Sequence, residues 1–370
     1  MARISDFLSQ YHSESTRKTY MSGVYAFLTL MYDTVPQWNI RDAEYESLAE
    51  RYFMDNRNYS EDVIRYAGTF SKSPATTART RITSVKEFLV FHDIEIREKD
   101  VRTIRRTIPK GGASTVEKDL DAMVLQSIIQ HCALWLRAMI LLMASSGLRI
   151  GEVLSLDLTD INLDGDIGVI TVRNPKGGMG RYTFCSVEAA DTIREWLKKR
   201  TAYLKSAENK GRGLNVKKDL DDNRLFPMSD NNVREAWENS VKNAGHHSLD
   251  RVTNRQQIHP HMLRKFFSSQ LSIAIPRDIV ELLMGHSGYL SDAYRRYTRK
   301  QVEEFYRKGE PYVTVQMTDE IRELRTNTDK KMQAHSDIIE SLVQKVINTE
   351  QKLKDLEARC SLIELVGPGS

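Results

Sequence analysis

Residues Leu125–Leu156 read LQSIIQHCALWLRAMILLMASSGLRIGEVLSL. The stretch up to Leu148 is strongly apolar and long enough for a buried pair of helices. Gly147 then ends the second helix, because glycine adopts the left-handed conformation that closes a helix at no steric cost. Arg149 and Glu152 follow at once, three residues apart. At that spacing a carboxylate can hold and orient a guanidinium.

Downstream of this segment, Val169–Val172 and Tyr182–Cys185 read as two strands joined by the glycine-rich turn around Lys176. Helical patterns return at 187–205, 233–245, 261–274 and 276–285, and the polar stretch 206–224 between them reads as a surface loop. Upstream, Ser13–Thr16 offers capping residues to a helix whose apolar positions are Tyr20, Val24, Phe27, Leu28 and Met31. A second N-terminal helix carries Ile82, Val85, Phe88 and Leu89 on one side. Both helices hold basic residues off the apolar face: Arg17, Lys18, Arg79, Arg81 and Lys86. These form either a DNA-binding face or an ordinary solvated one. The segment Arg105–Thr115 brings Arg105, Arg106 and Lys110 beside the helix breakers Pro109, Gly111 and Gly112. It reads as an interdomain linker able to lie along a phosphate backbone.

The predicted fold class is thus mainly α with a small β-hairpin (α+β). A helical domain spans 1–106, a linker 107–116, a second domain 117–312 and a tail 313–366. In the tail, His335, Ile339, Leu342, Val346, Thr349, Leu353, Leu356, Cys360 and Ile363 alternate by four and three, with a stutter near Thr328. That is the seam of a coiled coil, and residues 317–363 are expected to help protomers associate. An amphipathic helix folded onto its own domain gives a similar pattern.

Composition narrows the setting. The chain has 370 residues and a net charge of +4, which suits a nucleic-acid binder without requiring one. Its cysteines, Cys132, Cys185 and Cys360, are far apart and lack zinc-site spacing, as expected for reduced thiols. The N-terminal residues lack the apolar run of a signal peptide, and the apolar stretch Ala138–Ala144 is too short to cross a bilayer. A cytoplasmic protein with no membrane partner is expected.

Five segments follow one another in order: SSGLRIGEVLSL (145–156), RNPKGGMGR (173–181), HPHMLRKFF (259–267), MGHS (284–287) and DAYRRYT (292–298). Together they resemble the tyrosine recombinases, also called phage integrases, over residues from about 10 to about 310. The resemblance implies an N-terminal core-binding domain of SAM-like helices and a catalytic domain that together grip double-stranded DNA. It places the active site on Arg149, Lys176, His261, Arg264, His286 and a tyrosine, with Glu152 supporting Arg149. It implies DNA contacts from Arg17, Lys18, Arg79, Arg81, Lys86, Arg105, Arg106 and Lys110. It also implies no metal and no cofactor, and four protomers in a synaptic complex.

Two tyrosines compete for the role of nucleophile: Tyr294, eight residues after His286, and Tyr297, eleven after it. Tyr294 is preferred, because DAYRRYT resembles an archaeal-type form of the motif. Within HPHMLRKFF, the spacing to Arg264 selects His261 over His259, and Lys176 is preferred to Arg181 because it directly precedes the glycines. Lys265 stands where the family usually has a second histidine.

The chemistry fits these residue types. Direct attack on a phosphodiester builds negative charge on pentavalent phosphorus, and two arginines can clamp its non-bridging oxygens. In the family the lysine protonates the leaving 5′ oxygen, while His261 is the helper suited to the attacking phenol. Integration, excision and transposition all use this reaction, in a prokaryotic or viral mobile element acting at the nucleoid. Competing readings are a type IB topoisomerase, which shares the tyrosine and arginines, and a catalytically silent architectural protein.

Overall fold

The computed structural model describes residues 3–37, 40–55, 57–112, 115–173, 180–210 (backbone alone for 207–210), 220–285, 297–316, 330, 335 and 338–353. The chain divides into two compact units, Met1–Glu117 with Leu249–Gln257, and Lys118–Ser248 with Ile258–Ser370.

In the first unit the described helices are α1 (Ile4–Ser9), α2 (Glu14–Tyr32), α3 (Arg41–Met54), α4 (Tyr59–Gly68), α5 (Ala75–Phe91) and α6 (Glu98–Thr107). Ser13 caps α2 by accepting the Thr16 amide at 3.4 Å. Helices α2 and α5 cross closely at Gly23, where a Cβ would lie 1.8 Å from the Ser84 hydroxyl. Around that crossing Phe7, Phe27, Leu28, Phe88 and Leu89 are fully buried. Each such side chain contributes roughly 1.5–3 kcal/mol by leaving water.

Arg105 and Arg106, the start of the segment Arg105–Thr115, lie in the last turn of α6. Cations are favoured at that end of a helix, and the breaker Pro109 comes only after it. The far end of the expected linker is also tied down by residues distant in sequence. The Asp250 carboxylate accepts the amides of Val116 at 3.1 Å and Thr253 at 2.7 Å, and Gln257 donates to the Val116 carbonyl at 2.9 Å. The segment 249–257 therefore belongs to the first unit, although the sequence places it within 117–312.

The second unit begins with α7 (Ala122–Gln130), α8 (Leu134–Ser146) and the short α9 (Ile150–Leu154). A sheet follows, of β1 (Ile161–Asn162), β2 (Gly168–Val172) and β3 (Arg181–Cys185), then α10 (Val187–Lys210), α11 (Asp230–Asn243), α12 (His261–Ala274), α13 (Arg277–Met284) and α14 (Arg299–Val313). The sheet is antiparallel in the order β1-β2-β3, with Ile161 opposite Ile170 and Val172 opposite Arg181. β1 and α14 are not anticipated by the sequence reading. β1 spans only two residues, and α14 carries Gly309 and Pro311 inside it. Gly309 is needed there because a Cβ would meet Leu271 at 2.4 Å.

Helix α8 is buried on every side from Ala138 to Ser146 and packs against α10 and α12, as expected of a central core helix. It ends at Gly147, which is left-handed at φ +67°. A Cβ at Gly147 would sit 2.4 Å from the buried ring of Phe267 on α12. In the tail, residues 338–353 are helical and exposed throughout, including Ile339, Leu342, Val346 and Leu353. Leu356, Cys360 and Ile363 of the expected seam lie outside the described residues. No helix among the described residues is long and apolar enough to cross a membrane.

Gly147→Ala combines a positive φ with a clash against Phe267. It is expected to cost about 2 kcal/mol or more and to lower the thermal midpoint by roughly 4–8 °C. Gly151→Ala, with nothing within 4 Å of the added carbon, serves as the control and leaves the midpoint in place. Equal midpoints for the two variants in a thermal melt would contradict this packing.

Candidate active site

Arg149 lies just past the end of α8 and is the N-cap of α9. Its amide donates to Glu152 Oε2 at 2.9 Å and its guanidinium to Oε1 at 3.0 Å. Glu152 is therefore the third residue of α9, where a carboxylate meets both unpaired amides and the positive end of the helix. The carboxylate is buried, at 4% side-chain exposure, while Arg149 keeps 27% and can reach a ligand.

A second arginine closes on the same carboxylate from the sheet. Arg181, at the start of β3, donates through both terminal nitrogens, at 3.1 Å to Oε1 and 2.8 Å to Oε2, and through Nε to the Leu283 carbonyl at 3.1 Å. Burial by itself would raise the Glu152 pKa, but the hydrogen bonds and charges of Arg181 and Arg149 hold it below the usual carboxylate value.

Arg264, buried on α12, donates to the carbonyl of Gly147 and, at 2.7 Å, to that of Met284. These carbonyls close α8 and α13, so the guanidinium sits on the negative ends of two helices. Desolvation, and then the charge of Arg149, lower its pKa to about 10. The group thus stays charged at neutral pH while feeling its neighbour.

His261 opens α12, three residues before Arg264. The residue is exposed as a whole, but partial desolvation of its ring lowers its pKa, helped by the charges of His259, Arg264, Lys265 and Arg149. The rings of His259 and His261 stack at 6.5 Å. Arg149, His261 and Arg264 thus lie within electrostatic reach of one another, and the carboxylate beside them, Glu152, is already held by two arginines. Such an arrangement can bind an anion and stabilise charge that grows on it.

The positions Lys176, His286 and Tyr294 lie outside the described residues. Tyr297 is described: it precedes α14, its ring meets Phe305 edge-on at 5.8 Å, and it is 37% exposed. The sequence reading weighed Arg181 only as a rival to Lys176 and missed its role behind Glu152. The strand itself carries no signal of it: in RYTFC the apolar Tyr182 and Phe184 alternate with Arg181, and Phe184 is buried as well, so the period-two pattern does not mark position 181 as inward.

In the first unit, Arg79, Lys86, Arg105 and Lys110 line one cleft of about 430 Å³ between α5 and α6, with Ile82 and Ile104 among its apolar walls. The other basic residues lie elsewhere. Arg17 and Arg106 are exposed, Lys18 pairs with Glu14 at 2.6 Å, and Arg81 donates to the Ser22 hydroxyl at 2.6 Å.

Comparison with known proteins agrees with these observations. The sequence model of the Phage integrase family matches residues 118–304. The chain is 26% identical over 258 residues to tyrosine recombinase XerD of Ralstonia nicotianae, covering 66% of this chain and 77% of that protein. It is also 26% identical over 227 residues to tyrosine recombinase XerA of Pyrococcus furiosus, covering 60% of this chain and 70% of that one. Among solved structures, the Tn1549 transposon integrase in complex with circular intermediate DNA aligns with a TM-score of 0.46 and 16% identity, covering 76% of this chain and 98% of that one. With half of its length matched by the family's sequence model, the chain belongs to the Phage integrase family.

Proposed function

We infer that this chain is a site-specific DNA recombinase that cuts and rejoins DNA strands through a 3′-phosphotyrosyl intermediate. The observation that carries this reading is the convergence of Arg149, His261 and Arg264, with Arg149 held by the buried Glu152, within the family-matched segment. Family membership favours recombination over the topoisomerase and architectural readings.

In the proposed reaction the oxygen of Tyr294 attacks phosphorus and the bond to the 5′ oxygen breaks. The phenolic proton passes to His261, which its lowered pKa keeps neutral at neutral pH and able to accept it. Lys176 gives a proton to the departing 5′ oxygen. Arg149 and Arg264 hold the two non-bridging oxygens as charge builds, and His286 donates to the same phosphate. One such donor is worth about 3 kcal/mol. Rejoining is the reverse attack by a 5′ hydroxyl, so the ester conserves the energy of the broken bond and no ATP is needed. Tyr297 is the second choice of nucleophile, and its packing against Phe305 supports Tyr294.

The same reading assigns the first unit to core binding, with the cleft of Arg79, Lys86, Arg105 and Lys110 taking phosphates of double-stranded DNA. It assigns the tail to pairing protomers through the exposed Ile339, Leu342, Val346 and Leu353, as a coiled coil that supports a synaptic tetramer. The setting is a prokaryotic or viral mobile element acting at the nucleoid, by integration or transposition, with an archaeal-type tyrosine motif.

A duplex nicked just beyond the cut loses the fragment needed for rejoining and traps the intermediate. Wild type is expected to form a covalent adduct with a duplex selected from a randomised nicked pool, Tyr294→Phe to form none, and Tyr297→Phe to retain it. An adduct with Tyr294→Phe but not with Tyr297→Phe moves the nucleophile, and no adduct with wild type sinks the catalytic reading.

The pH profile gives a second check. A base whose pKa lies below 6.5 is active above that value and protonated below it. The cleavage rate at subsaturating DNA, which reports the free enzyme, should therefore rise with pH through an inflection below 6.5 and lose that inflection in His261→Ala. An inflection above 6.5 that vanishes with His261 would contradict the assigned environment.

A further inference from the structure

Arg181 has no place in the chemistry above, yet it is among the most enclosed charges of the second unit. Its side chain is 5% exposed and that of its partner Glu152 is 4% exposed. A buried ion pair adds little net stability, because desolvating both charges offsets their attraction. The geometry of this pair is also unusually complete. Both terminal nitrogens meet both oxygens of Glu152, and Nε meets the Leu283 carbonyl. The carboxylate keeps its remaining lone pairs for the Arg149 guanidinium and amide. Gly285 is shaped around the same guanidinium: it is left-handed at φ +68°, and a Cβ there would lie 2.5–2.9 Å from Arg181 Cδ, Nε and Cζ.

One guanidinium thus joins three elements: the start of β3, the carboxylate on α9, and the end of α13 immediately before His286. The strand it begins follows Lys176 in sequence, and Arg173, ahead of Lys176, is held on the buried Asp160. Resting on the recombinase reading, we propose that Arg181 is a positioning residue, which fixes Glu152 so that Arg149 is held ready for the scissile phosphate. Arg181 does not touch DNA. Its contribution reaches the reaction through the carboxylate, because a bidentate fork denies Glu152 any rotation that would release Arg149. Lysine, a point charge with one nitrogen, can restore the charge but not the fork.

The test uses the full chain and the nicked duplex selected by covalent capture on wild type. Arg181→Met should bind this duplex within about threefold of wild type by anisotropy, yet form adduct about 100-fold more slowly at saturating DNA, as expected for misplacement of a catalytic group. Arg181→Lys should recover only part of that rate. The effect should not add to that of Glu152→Gln, because both act through one group.

Since Arg181→Met leaves a buried carboxylate with Arg149 as its one remaining arginine and can lower stability, the double variant Arg181→Met/Glu152→Met separates folding from positioning. Removing both charges should restore the melting midpoint but not the rate. A substrate with sulfur as the leaving 5′ atom needs no proton from Lys176, and the Arg181→Met defect should persist on it. A wild-type rate in Arg181→Met, additive effects with Glu152→Gln, return of the rate together with the midpoint, or rescue by the sulfur substrate would each overturn the proposal while leaving the recombinase reading intact. Absence of an adduct with wild type would overturn both.

Discussion

The carboxylate of Glu152, enclosed between Arg149 and Arg181, is the interaction on which the second unit's site depends. Cations do not gather without a reason to stay together. The pKa of Arg264 is lowered to about 10 and that of His261 falls below its usual value, first by desolvation and then because both feel Arg149 and His261 also feels Arg264. Glu152 supplies the fixed negative charge against which Arg149 is oriented, and it keeps that charge because two arginines hold its proton off. A phosphate entering this place would relieve the repulsion that remains. On the proposed reading, the arginines are arranged before the ligand arrives, as electrostatic catalysis requires.

The surrounding fold explains how such a place can exist in a packed core. The two helix ends beside it, those of α8 and α13, turn their last carbonyls toward Arg264, and Leu283 takes the Nε of Arg181. Carbonyls left over at helix ends need partners in any protein, and here arginines serve. The two closing glycines, Gly147 and Gly285, are both left-handed, and each lies where a side chain would strike Phe267 or Arg181. Backbone geometry and charge placement are thus one constraint: the same tight turns that end the helices bring their carbonyls to the guanidinium groups.

Much of this was legible in the sequence because it is local. The apolar run, the closing Gly147, the three-residue spacing of Arg149 and Glu152 and that of His261 and Arg264 all lie within single segments. The contact of Arg149 with Glu152 is made from the cap, since Arg149 precedes its helix. Long-range features were not legible. Arg181 meets Glu152 across 29 positions and Leu283 across 102, and nothing beside it in the chain announces either partner. The fold of 249–257 onto Val116 spans 134 positions through one aspartate. Helices α3 and α4 escaped notice because tyrosines and alanines, such as Tyr45, Ala49, Tyr52 and Tyr66, make up much of their buried faces. In α14, Gly309 and Pro311 disguise a helix that tertiary contacts complete.

The central claim is that Glu152, held by Arg181, keeps Arg149 in place beside Arg264 to receive a pentavalent phosphate. The most direct measurement is a crystal structure of the chain on its selected duplex, with vanadate standing for phosphorus between the tyrosine and the 5′ hydroxyl. The account predicts guanidinium nitrogens of both Arg149 and Arg264 at about 2.7–3.1 Å from equatorial vanadate oxygens, with Glu152 still bound by Arg149 and Arg181. Vanadate oxygens without either arginine, or a Glu152 turned away from Arg149, would contradict it.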